Sequence, residues 1–276
     1  MSWQPPVSPV CPDDLGKLIP VVGGLQCIQC NRCFGLIDTL VELLPRETLQ
    51  TSSAEGLQLD AYGRSFSGRP DIAWHRPLRA LLNKLGNGYL YSWAGRTLER
   101  LANRKSFTIL DAACGDGILQ RYLSSHHTYI GVDFSTRPLL RAQRLNPATY
   151  FRADLNYLPF PSATFNSVLS LQALQYLDHP DIALAQMARV LKPSGILLLT
   201  VPNNDSFKYR FQGIPQIQLQ RFDRENLSAL LTRDFDLLHL RTQGFWLPCP
   251  RIPIHLPGVY PVRWGLSWTA IATPRR

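Results

Sequence analysis

From Phe107 onward the sequence alternates short apolar segments with amphipathic segments, and this order restricts the fold more than any other feature. Apolar runs rich in Val, Ile and Leu indicate buried strands, and helical periodicity between them indicates crossover helices. Such a chain forms a parallel sheet covered by helices, because parallel neighbours need a long connection. The predicted strands are FTILDAA, YIGVDF, ATYFRAD, FNSVLSLQ, GILLLTVP and GLSWTAIATP, with helices at 117–125, 136–145, 180–191 and 224–233.

Helical patterns also precede this α/β part of the chain. Leucines spaced i, i+3, i+4 and i+7 predict a helix in HRPLRALLNKL, and a second run, YSWAGRTLERLANR, follows a predicted turn at 86–88. A polar stretch, TSSAEG, separates these helices from a cysteine-containing N-terminal region. The predicted units are residues 1–50, a helical linker or lid at 51–105, and the α/β domain at 106–276.

Residues 245–263 differ from the alternating pattern because they are rich in proline and aromatic side chains. Proline cannot donate a hydrogen bond to a sheet ladder. We therefore predict an irregular loop there rather than a pair of strands.

A glycine-rich turn follows the first predicted strand of the α/β part, in ILDAACGDG. Gly115 and Gly117 permit positive φ or close approach to a ligand, and the next helix begins with unpaired N–H groups. Asp133 ends a strand sixteen residues after Gly117, where a carboxylate can accept both hydroxyls of a ribose. Asp154 ends the following strand, where it can accept an adenine amino proton. With Asp111, these acids predict a nucleoside-binding cleft at the switch point of the sheet.

Four segments in this region resemble the successive motifs of class I S-adenosylmethionine-dependent methyltransferases. They are ILDAACGDG, YIGVDFS, ADLNYLPFPSATFNSVLSLQALQYL and RVLKPSGILLLTVPN, which span about 107–202 in the order and spacing of the family. The resemblance is closest to the branch that contains quinone-biosynthesis C-methyltransferases and acyl-carrier-protein O-methyltransferases. It implies an α/β fold with a Rossmann-like, doubly wound sheet of seven strands, the last of them reversed.

The resemblance also implies S-adenosylmethionine as cofactor and assigns roles in its binding. The turn glycines would lie against the methionine end of the cofactor. Asp133 would bind the ribose, and Asp154 with Leu155 would bind the adenine. Ala113 occupies the position of the family's first glycine. The cofactor-binding residues that the resemblance implies are Asp111, Ala113, Gly115, Gly117, Asp133, Phe134, Asp154, Leu155 and Leu171.

Catalysis requires an aligned nucleophile, and a base only where the acceptor must lose a proton. In the family, the position of Gln172 after the fourth strand borders both cofactor and acceptor. Tyr62 and His75 lie in the segment that often covers the cofactor, and aromatic packing is the alternative role of Tyr62. Tyr176 and His179 are further candidates, and capping or surface exposure is the alternative role of His179. The predicted catalytic residues are Tyr62, His75 and Gln172.

Four of the six cysteines lie within the first 33 residues, which indicates metal binding rather than disulfides in a cytosolic chain. The segment from Cys11 to the LLP at 43–45 resembles a zinc-ribbon-like domain of methyltransferase activators, which also occurs fused to methyltransferases. It implies one structural zinc, and a ribbon that has lost its metal is the alternative. The predicted ligands are Cys11, Asp14, Cys27 and Cys30, with Cys33 as the alternative fourth ligand.

The favoured activity is methyl transfer to an O, N or C nucleophile of a small-molecule or lipid-like acceptor. Besides the resemblance, aromatic side chains late in the chain favour an apolar acceptor, because they can line a pocket. These aromatic residues are Phe245, Trp246, Tyr260 and Trp264.

Two alternatives stay open at this point. An RNA base as acceptor is favoured by the net charge of +9, which is concentrated beyond residue 50, and by a helical stripe of Arg137, Arg141 and Arg144. A catalytically inactive methyltransferase-fold scaffold is the other. No apolar run approaches the length of about 20 residues that spans a membrane. We therefore expect a cytoplasmic protein.

Overall fold

The computed structural model describes residues 5–48, 76–206, 209–210, 218–247, 254–260 and 265–276. Within these ranges the strands are β1 (Leu18–Val21), β2 (Gly24–Cys27), β3 (Cys33–Ile37), β4 (Leu40–Leu43), β5 (Thr108–Ala112), β6 (Thr128–Asp133), β7 (Thr149–Ala153), β8 (Phe165–Leu171), β9 (Leu191–Pro202), β10 (Phe235–Leu247), β11 (Ile254–Tyr260) and β12 (Ser267–Pro274). The α-helices are α1 (Arg76–Ala102), α2 (Thr136–Leu145), α3 (Pro180–Val190) and α4 (Arg224–Leu231). None of these helices is both long enough and apolar enough to cross a bilayer.

The strands form one sheet in the order β1-β2-β3-β4-β7-β6-β5-β8-β9-β12-β10-β11. The five strands β7, β6, β5, β8 and β9 are parallel, and β12 is antiparallel to both β9 and β10. The chain proceeds outward from β5 to β7 and then returns to β8, so the switch point lies between β5 and β8. The predicted doubly wound α/β fold is confirmed, and β1–β4 and β11 lengthen its sheet to twelve strands.

The two faces of the sheet carry two clusters of buried apolar side chains. Ile109 and Leu110 are successive residues of β5, and they belong to different clusters because side chains alternate along a strand. Helix α3 covers one face through residues such as Met187, and helix α1 packs on the other through Leu98. This layering leaves the carboxyl ends of the parallel strands as the edge where a ligand can bind.

Helix α1 corrects one prediction, because it continues through residues 86–88, where the sequence predicted a turn. Glycine inside a helix costs about 1 kcal/mol relative to alanine. Further along the helix, Leu98 is fully buried, and Gly95 lies so close to Tyr122 that an added Cβ would be 2.3 Å from its carbonyl oxygen. The predicted helix at 117–125 is a 3-10 helix, Ile118–Tyr122.

The region 245–263 corrects a second prediction, because β10 continues into it and pairs with β11 as an antiparallel hairpin. Pro257 is tolerated because β11 forms the edge of the sheet, where a missing N–H need not break a ladder. The register shifts around Gly244, whose φ is 68°. The side chains of the aromatic residues predicted to line a pocket there lie outside the described part of the chain.

The N-terminal strands join the α/β sheet through β4, which pairs in parallel with β7. Glu42 of β4 lies opposite Arg152 of β7, and the two side chains form an ion pair of 2.5 Å. Leu43 and Phe151 belong to the same buried apolar cluster. The cysteine-containing unit and the α/β part therefore share both a sheet and a core.

Candidate active site

The glycine turn after β5 is held to β6 by the backbone. The N–H groups of Ala113 and Cys114 both donate to the carbonyl of Val132 at 2.9 Å. Three residues of the turn have positive φ: Ala113 at 70°, Gly115 at 51° and Gly117 at 66°. The left-handed region costs a residue with a Cβ about 1–2 kcal/mol. Ala113 is therefore strained, whereas the two glycines adopt the turn without that cost.

The two glycines of the turn differ in the space around them. A Cβ at Gly117 would lie 2.3 Å from the hydroxyl oxygen of Tyr150, so this glycine is required by packing. A Cβ at Gly115 would meet no atom within 4 Å. The backbone at Gly115 therefore borders open space, into which a ligand fits.

Asp133 lies at the end of β6 beside this open space. Its Oδ2 accepts a hydrogen bond of 2.8 Å from the N–H of Gly115, and its Oδ1 accepts one of 2.8 Å from the N–H of Ser135. Burial among protein atoms raises the pKa of Asp133, and the two backbone donors oppose that shift. The side chain is half-exposed by area. Each carboxylate oxygen retains capacity for a further hydrogen bond.

Asp111 lies beneath the turn and is only 3% exposed. The hydroxyl of Tyr129 donates to its Oδ2 at 2.6 Å. Burial raises the pKa of Asp111 to about 7; the Tyr129 hydrogen bond opposes that shift and the charge of Asp133 adds to it. Asp111 therefore changes its charge near neutral pH, within contact range of the turn.

Asp154, at the end of β7, is fixed by a residue that the sequence interpretation missed. The hydroxyl of Thr48 donates to Asp154 Oδ2 at 2.6 Å, and the N–H of Asn156 donates to Oδ1 at 2.9 Å. Thr48 follows the N-terminal strands and is 4% exposed. Leu155 and Leu171, which complete the predicted cofactor set near the strand ends, are both buried.

Phe134 is also connected to the N-terminal strands. The Nε of Arg152 donates to the Phe134 carbonyl at 2.9 Å, and its guanidinium lies 5.4 Å from the centre of the Phe134 ring. Because Arg152 also pairs with Glu42, the ion pair between β4 and β7 extends to the predicted ribose side of the cleft.

Helix α1 contributes a second residue that was not predicted, Tyr91. Its ring stacks on Tyr122 with centroids 6.1 Å apart. Tyr122 ends the 3-10 helix that directly follows the glycine turn, so the stacking places Tyr91 on the same side of the sheet edge as the turn. Burial raises the pKa of Tyr91, and the charges of Asp111 and Asp116 raise it further.

Gln172 is the one predicted catalytic residue within the described part of the chain, since Tyr62 and His75 lie outside it. It follows β8 with φ of 60°, in the left-handed region. Its Nε2 donates to the hydroxyl oxygens of Thr200 and Ser267, both at 3.2 Å. Its carboxamide is thus fixed at the same sheet edge as the acids.

The alternative catalytic candidates, His179 and Tyr176, also lie at this edge of the sheet. His179 is exposed and directly precedes α3. Tyr176 is half-buried in a short 3-10 helix, Leu174–Tyr176.

The predicted metal ligands lie together in the N-terminal unit. The ligand atoms of Cys11, Asp14, Cys27 and Cys30 are all within 4.8 Å of one another. The Sγ atoms of Cys11 and Cys30 are 3.8 Å apart. Tetrahedral zinc with bonds of about 2.3 Å separates two sulfur ligands by about 3.8 Å, so this donor set fits zinc. Cys33 is exposed on β3 and is not part of the cluster.

The predicted arginine stripe on α2 is partly engaged in the protein itself. Arg141 donates to both carboxylate oxygens of Asp116, at 2.5 and 2.7 Å. Asp116 lies inside the glycine turn, between Gly115 and Gly117. The central arginine of the stripe thus supports the turn, and Arg137 and Arg144 are exposed on either side.

Comparison with known proteins agrees with this geometry. Residues 110–199 match a family model described as a methyltransferase domain. The malonyl-[acyl-carrier protein] O-methyltransferase of Enterobacter lignolyticus is 34% identical over 115 residues, which are 41% of this chain and 46% of that protein. The ubiquinone/menaquinone biosynthesis C-methyltransferase of Paraburkholderia xenovorans is 33% identical over 131 residues, 43% of this chain and 53% of that protein. The chain spans about half the length of the curated relatives it matches.

A solved structure resembles the fold over a larger share of the chain. It is the complex between the Haloferax volcanii Trm112 methyltransferase activator and a putative methyltransferase, with a TM-score of 0.54 and 18% identity. The match covers 75% of this chain and 98% of the other. Residues 110–199 are thus similar to a methyltransferase domain, and the chain shares the fold of the Haloferax volcanii structure.

Proposed function

We propose that the protein transfers a methyl group from S-adenosylmethionine to an O, N or C nucleophile of a small-molecule or lipid-like acceptor. The observation that carries this proposal is the position of Asp133: its carboxylate is hydrogen-bonded to the N–H of Gly115 at 2.8 Å and borders open space. A ribose diol would use the remaining capacity of its two oxygens.

The donor set of the cleft fits this cofactor in shape and charge. Space for a ligand lies against the Gly115 backbone, where an added Cβ meets nothing. The sulfonium and ammonium groups of the cofactor are cationic, and the cleft presents Asp111 and Asp133. Asp154 would accept the adenine amino proton, with its orientation fixed by Thr48.

In this mechanism the bound cofactor supplies a methyl group already activated by its sulfonium. The residues of the chain would bind and orient the reactants: Asp133 would hold the ribose, Asp111 would hold the methionine ammonium, and Tyr91 would narrow the space beside the turn. Gln172 can orient an acceptor through its carboxamide but cannot remove a proton, because an amide has no basic group at neutral pH. Alignment and exclusion of water therefore supply most of the rate enhancement.

Calorimetric titration with S-adenosylmethionine tests the proposal. Wild-type protein is expected to bind, and Asp133→Ala to lose at least tenfold in affinity. Asp236→Ala removes an exposed acid at the opposite edge of the sheet, where β10 begins, and serves as the matched control. Absence of binding by the wild-type protein would refute the methyltransferase proposal, and binding without turnover of any acceptor would favour the scaffold alternative.

The acceptor class is supported by the relatives, whose names specify an acyl-carrier-protein O-methyltransferase and a quinone-biosynthesis C-methyltransferase. The RNA alternative is weakened because Arg141 is bound to Asp116 rather than free for a phosphate. A turnover assay with a quinol, a malonyl thioester and bulk RNA separates these classes. RNA-dependent turnover that collapses with rising salt would contradict the small-molecule proposal.

We also propose that the N-terminal zinc-ribbon-like unit binds one structural zinc through Cys11, Asp14, Cys27 and Cys30. Elemental analysis by mass spectrometry is expected to find about one zinc per chain. Asp14→Ala should lower this content, and Cys33→Ser, which changes a cysteine outside the cluster, should not. Zinc-free wild-type protein purified without chelator would contradict the proposal.

A further inference from the structure

One buried side chain at the carboxyl edge of the sheet is not used by the cofactor. Gln243 of β10 is 4% exposed, and neither its Nε2 nor its Oε1 has a hydrogen-bond partner among the described residues. Leaving such an amide unsatisfied costs about 1–3 kcal/mol per buried polar group. The amide of Gln243 thus retains both a donor and an acceptor for a partner outside the described residues.

Gln243 belongs to a group of polar side chains that extends toward the cofactor cleft. It lies directly opposite Ser267 in the antiparallel pairing of β10 with β12. Directly opposed residues share one face of a sheet and have Cβ atoms about 5 Å apart. The hydroxyl of Ser267 accepts from Gln172 Nε2 at 3.2 Å and retains its own hydrogen for donation. Ser267 thus lies between the two glutamines.

The backbone has positive φ on both sides of this group, with strain at Gln172. Gln172 has φ of 60°, and Gly244, next to Gln243, has φ of 68° at a register shift. A β-bulge commonly redirects a side chain near a functional site, and strained conformations of non-glycine residues concentrate at such sites. Both features occur at the carboxyl ends of β8 and β10, on the edge that also carries Asp133.

The chemistry of the group selects an uncharged ligand. Within the described part of the chain, no ionised side chain forms a hydrogen bond or ion pair with Gln172, Ser267 or Gln243. A carboxylate placed there would be desolvated without a counter-charge, which is unfavourable. A hydroxyl group suits the site, because it can donate to Gln243 Oε1 and accept from Gln243 Nε2.

We propose that Gln243 and Ser267, together with Gln172, form a subsite that binds an uncharged hydroxyl group of the methyl acceptor. The proposal rests on the proposed methyltransferase function and narrows its acceptor class. Acceptors with an uncharged hydroxyl group fit the subsite, and acceptors that present only a carboxylate do not.

Binding of simple probes to the full chain, measured by calorimetry with and without S-adenosylhomocysteine, tests the subsite. Phenol is expected to bind at least tenfold more tightly than anisole, which lacks the hydroxyl hydrogen, and than benzoate, which carries a charge. Cyclohexanol separates aliphatic from aromatic hydroxyls. Gln243→Met should raise the phenol dissociation constant about tenfold, toward the value for anisole.

A stability measurement distinguishes this role from a structural one. Gln243→Met removes a buried unsatisfied amide and should raise the melting temperature. Trp268→Phe is the matched control: Trp268 is 3% exposed, its Nε1 also has no partner, and it follows Ser267 on the opposite face of the sheet. Trp268→Phe should leave phenol binding within twofold of wild type. Ser267→Ala serves as a second subsite variant should Gln243→Met fail to fold.

The outcomes separate this inference from the function on which it rests. Equal affinity for phenol, anisole and benzoate, or a phenol affinity that Gln243→Met and Ser267→Ala leave unchanged, overturns the subsite even when S-adenosylhomocysteine binds. A lower melting temperature for Gln243→Met, without loss of phenol binding, also overturns it. Absence of S-adenosylhomocysteine binding refutes the proposed function, while phenol discrimination still supports a hydroxyl subsite.

Discussion

The hydroxyl of Thr48 donates a hydrogen bond of 2.6 Å to Oδ2 of Asp154, and this bond joins the N-terminal unit to the acid proposed to bind adenine. Thr48 is buried, so the bond is shielded from water. It connects residues 106 positions apart in the sequence.

Thr48→Val should reduce both stability and cofactor affinity. A buried hydrogen bond to a charged group contributes about 1.5–3 kcal/mol, so urea unfolding should show a loss of about 2 kcal/mol. The dissociation constant of S-adenosylmethionine should rise about threefold to tenfold, because Asp154 loses one of its two orienting donors. Thr39→Val removes an exposed bond of 3.0 Å to Gln143 and should change both quantities little. Equal effects of the two substitutions would contradict the role of Thr48.

Stability should depend on pH through Asp111. Burial raises its pKa in the folded protein to about 7, above its value in the unfolded chain. Between about pH 4 and 7 the folded state therefore binds more protons, so Asp111 makes the free energy of unfolding fall as pH rises, by up to about 1.4 kcal/mol per pH unit. Asp111→Asn should remove this component, as measured by urea unfolding at several pH values.

Tyr129→Phe provides the control for Asp111. The Tyr129 hydrogen bond lowers the pKa of Asp111, so its removal should move the pH-dependent range upward. An Asp111→Asn protein with the same pH profile as wild type would refute the assignment.

The glycine turn should respond differently at its two glycines. Gly117→Ala brings a Cβ to 2.3 Å from the Tyr150 hydroxyl oxygen and should cost about 3 kcal/mol or more of stability. In Gly115→Ala the added methyl group meets open space, so the loss of stability should be only about 1 kcal/mol. The affinity for S-adenosylmethionine should nevertheless fall at least tenfold, because the methyl group enters the cleft. Ala113→Gly should leave stability unchanged or raise it by up to about 1 kcal/mol, because relief of strain exceeds the entropy that glycine loses.

Chemical denaturation and calorimetry of these three variants check the prediction. If cofactor affinity falls only in proportion to stability across the three variants, then Gly115→Ala has no separate effect on binding. That result would show that the open space is not a ligand site.

Asp14→Cys should strengthen zinc binding in the N-terminal unit. Asp14 Oδ1 lies 3.4 Å from the Sγ of Cys27, within the ligand cluster, and thiolate is a softer zinc ligand than carboxylate. Competition with a chromophoric chelator should show that the variant binds zinc at least tenfold more tightly than the wild-type protein. Cys33→Ser should leave the affinity unchanged. A variant no tighter than wild type would exclude Asp14 from the metal ligands.

The sequence was sufficient where the structure depends on local chemistry. Neighbouring residues determine three such features: the strand before Asp111, the glycines with positive φ, and the acids at the strand ends. All three lie at the expected edge of the sheet. The capping box of α4, in which Asp223 accepts from the N–H of Asn226, is likewise local. Such features were predictable because short-range geometry determines them.

Long-range packing explains what the sequence did not reveal. Thr48 reaches Asp154 because β4 pairs with β7, and Gln243 lies opposite Ser267 because β10 pairs with β12. Local signals were also overridden: α1 continues through the glycines at 86–88, and the edge position of β11 accommodates Pro257. No short window of sequence contains these partners.

The parallel pairing of β4 with β7 has a consequence for how the chain is made. Ribosomes synthesise β4 about a hundred residues before β7, and an extended apolar strand gains its neighbour only when that later segment emerges. Closing so long a loop makes this pairing a slow step of folding. During synthesis the edge of β4 therefore remains without its final partner, and it stays open to pairing with other strands until β7 is made.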